Sequence, residues 1–363
     1  MRNTFGNNIS ITLFGESHGC AIGAVLDGMP GGVEVSEGYI EKKLNQRKPY
    51  GTISTVRRER DKFHIVSGVK DGYTTGAPIT VIIENEDTSS KDYSLFKDTP
   101  RPSHADYVAA VKYGGYSDER GGGHFSGRLT APIVVLGAIA QYALIKKGIK
   151  IGTHIKSLHG VSDRDFVSLN EDVDMLDDKL FPVLDKNAES AMIDEITKAA
   201  EAGDSVGGTL ECCVLGVPTG IGEPWFDTLE GMLSHALFSI PAVKGVEFGL
   251  GFGFSDKFGS EANDPFVTDG EKIFTSTNNN GGINGGISNG MPIIFRVAIK
   301  PTPSIFKEQM TVSLSKMENT TLKIEGRHDP AIIHRARAVV DAIAALVIAD
   351  ALVSRAGQTY FGG

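Results

Sequence analysis

Two short motifs occur twice along the chain, in the same order and about half a chain length apart. Residues 15–19, GESHG, are followed by VLDGMPGG, and residues 203–207, GDSVG, are followed by VLGVPTG. Residues 76–79, GAPI, lead into TVIIEN, and residues 290–293, GMPI, lead into IFRVAI. Chance similarity between glycine-rich turns is the alternative, but two pairs that agree in order favour an ancient duplication.

The duplication predicts an α+β fold with two related sheets, because each half contributes its own strands and helices rather than a run of βαβ units. The repeat halves cover approximately residues 1–150 and 190–363 of one domain, since no low-complexity linker interrupts residues 1–363. In the second copy of the first motif, Val206 stands where the first copy has His18. The fold element therefore does not need this histidine, which favours a functional role for it.

Apolar residues at helical spacing predict helices between the strands. One helix opens near Ser36, and the others cover residues 107–113, 130–147, 189–202, 226–238 and 330–355. The polar, acidic segment 172–187 is expected to form a surface excursion. Cys212 and Cys213 lie in a predicted strand, where ordinary buried thiols are expected.

Charge limits the classes of partner. The net charge is −9, which argues against nucleic acid or an anionic membrane, because both require a broad basic face. The N-terminus has no secretory pattern, and the apolar segment 130–145 is shorter than the ~20 residues of a membrane span. A cytoplasmic location is therefore expected.

One segment, residues 41–62, reverses this charge, with eight basic and three acidic side chains. Lys42 and Lys43 are expected on a solvated face of the helix that opens near Ser36. For the arginines that follow, a solvated surface and an anionic small ligand are about equally supported; these are Arg47, Arg57 and Arg58.

Common catalytic motifs are missing from the sequence. No GK[ST] follows a glycine-rich stretch, and residues 249–253, GLGFG, lack the spacing of a dinucleotide-binding loop. The nine histidines show no metal-ligand spacing, and Ser126 is not part of a GxSxG elbow. The pattern argues against nucleotide hydrolysis, dinucleotide binding, a metal site and a serine hydrolase.

Three polar clusters precede predicted helices, where free N–H groups and the helix dipole favour anions. They are RPSHAD at residues 101–106, GGGHFSGRLTA at residues 121–131 and RHDP at residues 327–330. Helix capping is the alternative. The serine and the last aspartate of RPSHAD fit a capping box, and Asp329 fits an N-cap before a proline.

Taken together with four further motifs, these clusters resemble the chorismate synthase family. GESHG, RPSHAD, the triple-glycine loop, SIPAVKGVEFG, GGINGGISNG, KPTPSI and RHDP occur in this order and cover nearly the whole chain. The resemblance implies a β-α-β sandwich with pseudo-twofold duplication, with helices between two four-stranded antiparallel sheets, and a homotetramer. It also implies a carbon–oxygen lyase of the shikimate pathway, which eliminates phosphate from 5-enolpyruvylshikimate 3-phosphate to give chorismate. The reaction requires reduced FMN without net redox change.

The resemblance assigns three proton-transfer residues. His18 would donate a proton to the departing phosphate, and His104 would protonate the reduced flavin near N1. Asp329, together with flavin N5, would take part in removing the hydrogen at carbon 6. The implied substrate-binding residues are guanidinium groups, which bind carboxylate and phosphate bidentately; they are Arg47, Arg101, Arg128 and Arg327.

A larger set is implied to hold FMN, with Lys300 and Ser304 near its phosphate and Ala242 beside its ring. The full set is His124, Phe125, Ser126, Ala242, Gly285, Lys300, Pro301, Thr302, Pro303, Ser304 and Arg327. The triple glycine is expected to let flavin and substrate approach the backbone. The chain ends soon after its last predicted helix, so reduced FMN is expected from a separate flavin reductase.

The glycine loop departs from the family pattern, which commonly reads GGGRSSGRET or GGGRSSARET. His124, Phe125 and Leu129 replace an arginine, a serine and a glutamate. His124 either binds an anion while protonated or packs, neutral, beside Phe125. An arginine that many members carry shortly after Arg47 is replaced here by the uncharged run at residues 52–54. A non-catalytic paralogue that binds flavin or an anion is the alternative function, but the three retained proton-transfer residues favour the enzyme.

Overall fold

The computed structural model describes residues 3–49, 51, 53–54, 60–86, 94–324 and 328–362. The helices are α1 (Glu37–Arg47), α2 (Ser94–Asp98), α3 (Asp106–Lys112), α4 (Thr130–Lys146), α5 (Leu169–Asp178), α6 (Lys186–Glu201), α7 (Leu229–Leu237), α8 (Gly259–Ala262) and α9 (Ile333–Ala356). Short 3-10 segments include Arg120–Phe125 and Gly127–Leu129, between α3 and α4.

Eighteen strands are described. The first half contains β1 (Thr4–Phe5), β2 (Ser10–Gly15), β3 (Ala21–Asp27), β4 (Phe63–Ser67), β5 (Val69–Lys70), β6 (Tyr73–Thr74) and β7 (Ile79–Glu84). The second contains β8 (Lys150–Leu158), β9 (Val161–Ser162), β10 (Gly208–Leu215), β11 (Val243–Phe248), β12 (Phe266–Thr268), β13 (Ile273–Thr275), β14 (Ile283–Asn284), β15 (Ile287–Ser288), β16 (Ile293–Ile299), β17 (Gln309–Ser313) and β18 (Glu318–Leu322).

Two antiparallel sheets form the outer layers. Their orders are β1-β2-β3-β7-β4 and β11-β16-β10-β8-β9. Each has four longer strands and one two-residue strand at an edge. Numbered along the chain, the four longer strands of each sheet follow the same order, 1-2-4-3, which confirms the α+β sandwich with an internal duplication.

The repeated motifs lie at equivalent places in the two sheets. GESHG precedes β3 and GDSVG precedes β10, while GAPI leads into β7 and GMPI leads into β16. By strand order β8 is the counterpart of β2. We therefore propose that the second repeat begins with β8, before the predicted start near residue 190.

Helices α4 and α9 fill the space between the sheets, as predicted. α4 contacts β3 and β7 of the first sheet and β8 of the second, and α9 contacts β8 and β10. The two helices cross closely, since a Cβ at Gly137 would lie 2.4 Å from the Cβ of Ala342. Residues 127–146 are long and apolar enough to span a membrane, but 83% of their apolar window is buried inside the protein. Within the described chain this helix is a core element.

The other predicted elements are mostly confirmed. Ser36 is the N-cap of α1, accepting a hydrogen bond from Tyr39 N at 3.3 Å. Cys212 and Cys213 are buried free thiols on β10, and burial raises the pKa of the Cys213 thiol to about 12.

Two expectations about charged segments are wrong. Residues 172–187 contain most of α5 and the start of α6, because Asp172 pairs with Arg164 and Val173 packs against Gly152 of β8. Lys43 does not lie on a solvated face: it is 2% exposed, and its Nζ lies 2.6 Å from an oxygen of Asp177. Carboxylates from other elements thus allow charged side chains to be buried.

Candidate active site

A cavity of about 890 Å³ opens beside the 3-10 segments that precede α4. Its walls also include β1 and β2, the start of β11, the residues after β16 and the first turns of α9. Eleven of the predicted site residues line it: Arg47, His104, His124, Phe125, Ser126, Arg128, Ala242, Lys300, Thr302, Pro303 and Asp329. Residues that are far apart in sequence are thus brought to one place by the fold.

Five other predicted residues lie within the described chain but do not line this cavity. His18 and Arg101 are buried behind it, and Pro301 and Ser304 lie beside residues that do line it. Gly285 lies in the tight turn between β14 and β15. The following residue, Gly286, packs against Thr228. Arg327, like Arg57 and Arg58, lies outside the described residues.

His104 is oriented by Asp106, which also accepts hydrogen bonds from Arg101. Its Nδ1 lies 2.6 Å from Asp106 Oδ1 and 3.1 Å from Arg101 Nη2. We assign the Nδ1 proton to the contact with Asp106, because a carboxylate at the shorter distance requires a donor. Burial raises the pKa of Asp106, but hydrogen bonds from Arg101 and His104 outweigh it and hold this pKa well below its usual range. Nε2 of His104 is therefore left to exchange a proton with a ligand.

The capping alternatives for Asp106 and Asp329 are wrong. Asp106 is the first residue of α3, and the N-cap residue Ala105 makes no side-chain capping bond. The N-cap of α9 is Ile332, which makes none either. Asp329 instead accepts a hydrogen bond from Arg335 Nη1 at 2.6 Å. Both carboxylates bind site side chains rather than helix ends.

The triple glycine accommodates a histidine. A Cβ at Gly121 would lie 2.1 Å from both Cε1 and Nδ1 of His18, and one at Gly123 would lie 1.9 Å from Asp118 O. The three glycines have φ of 59°, 83° and 53°, which other residues rarely adopt. The backbone of Gly121 lines the cavity and covers His18, which is 6% exposed. The glycine at position 121 therefore makes room for His18.

His124 lies at the cavity wall, and its Nδ1 is 2.8 Å from the carbonyl oxygen of Gly15. Since a carbonyl accepts, Nδ1 donates to it, which leaves Nε2 as the atom that can meet a ligand. Phe125 packs against Tyr113 with ring centroids 6.2 Å apart. The two alternatives for His124 both remain compatible with this placement.

Lys300 and Lys244 place two ammonium groups at the cavity. Lys300 Nζ donates to the carbonyl of Ser103 at 2.6 Å. Burial and the charge of Lys244 lower the pKa of Lys300. Neither lysine forms an ion pair within the described ranges, so this wall suits a phosphate or carboxylate.

Sequence reasoning missed four charged residues of the cavity wall: Lys48, Asp61, Lys244 and Arg335. Asp61 binds Arg47 and Arg128. Arg335 donates from Nε to the carbonyl of Arg47 at 2.9 Å and from Nη1 to Asp329. Arg335 lies within the apolar pattern of α9, which predicts a helix but does not indicate a site residue. Its position next to His334 in the sequence did not indicate one either. No cluster of histidine, cysteine or acidic residues with metal-binding geometry occurs among the described residues.

The fold and cavity define a class: an enzyme-like α+β sandwich whose site gathers cations, histidine and carboxylate groups for a small anionic ligand. Residues 9–353 match the family model of chorismate synthase, and the chain belongs to this family.

Comparisons with known proteins extend over almost the entire chain. It is 48% identical over 350 residues to the chorismate synthase of Thermococcus kodakarensis, covering 96% of this chain and 97% of that protein. It is 46% identical over 360 residues to that of Dehalococcoides mccartyi strain BAV1, covering 98% of each. A crystal structure of chorismate synthase matches with a TM-score of 0.77 and 30% identity, covering 97% of this chain and 94% of that chain.

Proposed function

We propose that the protein eliminates phosphate from 5-enolpyruvylshikimate 3-phosphate to form chorismate, in a reaction that depends on reduced FMN. Family membership supports the reaction. The observation that carries the proposal is the meeting of His104, Asp329 and Lys300 with arginine side chains in one cavity. A phosphate monoester with two carboxylates needs such cations, and an elimination needs groups that give and take protons.

The volume of the cavity supports the binding of a flavin nucleotide together with a substrate. Its volume of about 890 Å³ is near the upper end of small-molecule sites, which span roughly 300 to 1,000 Å³. Lys300 would hold the FMN phosphate, because its ammonium group and that of Lys244 provide positive charge without an ion-pair partner in the described chain. Ala242, at φ 76°, and Phe125 supply apolar surface nearby. Bound reduced FMN would supply electron density that eases cleavage of the carbon–oxygen bond.

The protein's own residues would handle the protons. His104 holds a proton on Nδ1 through Asp106, so Nε2 exchanges a proton at the cavity. Asp329, oriented by Arg335, would accept the proton lost from carbon 6. His18 would donate to the leaving phosphate. Because the Gly121 backbone stands between its ring and the cavity, the access of His18 depends on this segment.

The proposal extends to the surroundings of the enzyme. A separate flavin reductase would supply reduced FMN, the chain would assemble as a homotetramer, and it would act in the cytoplasm. No described feature points to nucleic acid as a partner, and the net charge of −9 argues against it.

An anaerobic assay with the shikimate ester tests the proposal. We expect chorismate with chemically reduced FMN and none with oxidised FMN, since the elimination needs an electron-rich flavin. His18→Ala should lower kcat by roughly 100-fold or more, the scale of a lost general acid, with a smaller effect on substrate binding. Equal rates with both flavin states would contradict the mechanism, and flavin binding without turnover would favour the non-catalytic paralogue.

A further inference from the structure

Asp61 lies between two arginines of the cavity wall and belongs to none of the motifs discussed above. Its Oδ2 accepts a hydrogen bond from Arg47 Nη1 at 3.2 Å, and its Oδ1 accepts one from Arg128 Nη1. The side chain is 2% exposed, and the residue contributes to the cavity lining. One carboxylate thus joins the two guanidinium groups to which the family resemblance gives a role in substrate binding.

The backbone of Asp61 has a φ of 52°, in the left-handed region that few residues other than glycine adopt. Such a conformation persists where surrounding contacts impose it, and it is common at functional sites. In this conformation the carboxylate lies between Arg47 and Arg128 and pairs with both.

Neutral groups of the described chain also bind each guanidinium. Arg47 donates from Nε to Thr130 Oγ1 at 2.8 Å and from Nη2 to the carbonyls of Gly127 and Arg128. Arg128 donates from Nε to Asn85 Oδ1 at 3.1 Å and from Nη2 to the carbonyl of Glu84 at 3.2 Å. These bonds orient the guanidinium groups and leave their positive charge unchanged. Asp61 orients the guanidinium groups and also offsets part of their charge.

We propose that Asp61 is a positioning residue that keeps Arg47 and Arg128 in one orientation and limits the affinity of this wall for free anions. The inference rests on the proposed function, in which this wall receives anionic groups of the substrate. A buried carboxylate in contact with both guanidiniums offsets part of their charge, so an incoming anion is attracted less strongly. In a reaction that releases phosphate, this moderation lets the product leave.

The test compares the native protein with Asp61→Asn, which keeps the shape of the side chain and removes its charge. Binding of inorganic phosphate is measured by calorimetry without substrate or flavin. We expect the dissociation constant to fall about fivefold or more, since one negative charge is lost in a buried site. In the anaerobic assay, kcat should fall about tenfold, because the guanidiniums lose their orientation. A purely structural role would weaken both phosphate binding and turnover.

Thr130→Val is the matched control. It removes a neutral hydrogen-bond partner of Arg47 and leaves the charges unchanged, so phosphate affinity should stay within about twofold of native. A folded Asp61→Asn protein that binds phosphate no more tightly than the native protein overturns the inference.

If Asp61→Asn does not fold, the test instead compares two variants at Arg128, one with Asp61 and one with asparagine in its place. Arg128→Gln alone should bind phosphate more weakly than the double variant Asp61→Asn/Arg128→Gln. The double variant lacks the negative charge of Asp61, so its net charge is one unit more positive than that of Arg128→Gln. Equal dissociation constants for the two proteins would refute the role of Asp61. Because these measurements need no turnover, they remain decisive even if the native protein forms no chorismate, a result that would refute the proposed function instead.

Discussion

Replacing Gly121 by alanine tests whether the triple glycine exists to seat His18. The added Cβ would lie 2.1 Å from two atoms of the His18 ring and 2.9 Å from Ser17 Oγ. An ordinary carbon contact needs about 3.5 Å or more, so the ring or the loop must move by more than 1 Å. Displacement of a catalytic group by about 1 Å can lower a rate 100-fold.

The stability cost of Gly121→Ala can be bounded separately. Holding alanine at φ 59° costs roughly 1–2 kcal/mol, and overpacking a buried site costs roughly 1–3 kcal/mol. We therefore expect a loss of about 2–5 kcal/mol in the free energy of unfolding together with a fall in kcat of about 100-fold. Chemical denaturation and the anaerobic assay with reduced FMN measure the two quantities.

Gly127→Ala provides a control in the same loop. No atom lies within 4 Å of a Cβ at Gly127, and its backbone is not in the left-handed region. Its stability and kcat should stay close to native. The reasoning fails if Gly121→Ala keeps a native kcat while folded, or if Gly127→Ala loses as much activity.

Two further predictions concern ion pairs. Arg335→Gln should lower kcat at least tenfold, because Asp329 loses the guanidinium 2.6 Å away that orients it; an unchanged kcat would show that this pair does not serve the reaction. His154 lies between Asp163 and Glu211; burial lowers the pKa of His154, but the two carboxylates outweigh it and raise the pKa above its usual value. Its stabilising effect is thus fully present below about pH 6.5 and is lost as pH rises through the folded pKa. The difference in unfolding free energy between the native protein and His154→Gln should therefore shrink from pH 6 to pH 9, and a constant difference would contradict the assignment.

The sequence alone determined the architecture, because the features that encode it are local or repetitive. The paired motifs indicated two related sheets, and both sheets follow the same strand order. The apolar run at residues 130–147 indicated a helix, and Ser36 indicated the start of α1. Motif order along the chain was enough to indicate the family, since it does not depend on any single side-chain contact.

Only the tertiary structure decided which polar groups meet. Asp106 and Asp329 fitted helix caps in sequence, but each carboxylate binds an arginine instead. Arg335 meets the backbone of Arg47 across 288 positions of the chain. The sequence of α1 predicts that Lys43 is solvated. Lys43 is buried because it forms an ion pair with Asp177 of α5. Capping and amphipathic patterns depend on neighbours in sequence, whereas ion pairing in a buried site depends on which distant segments the fold brings within about 4 Å.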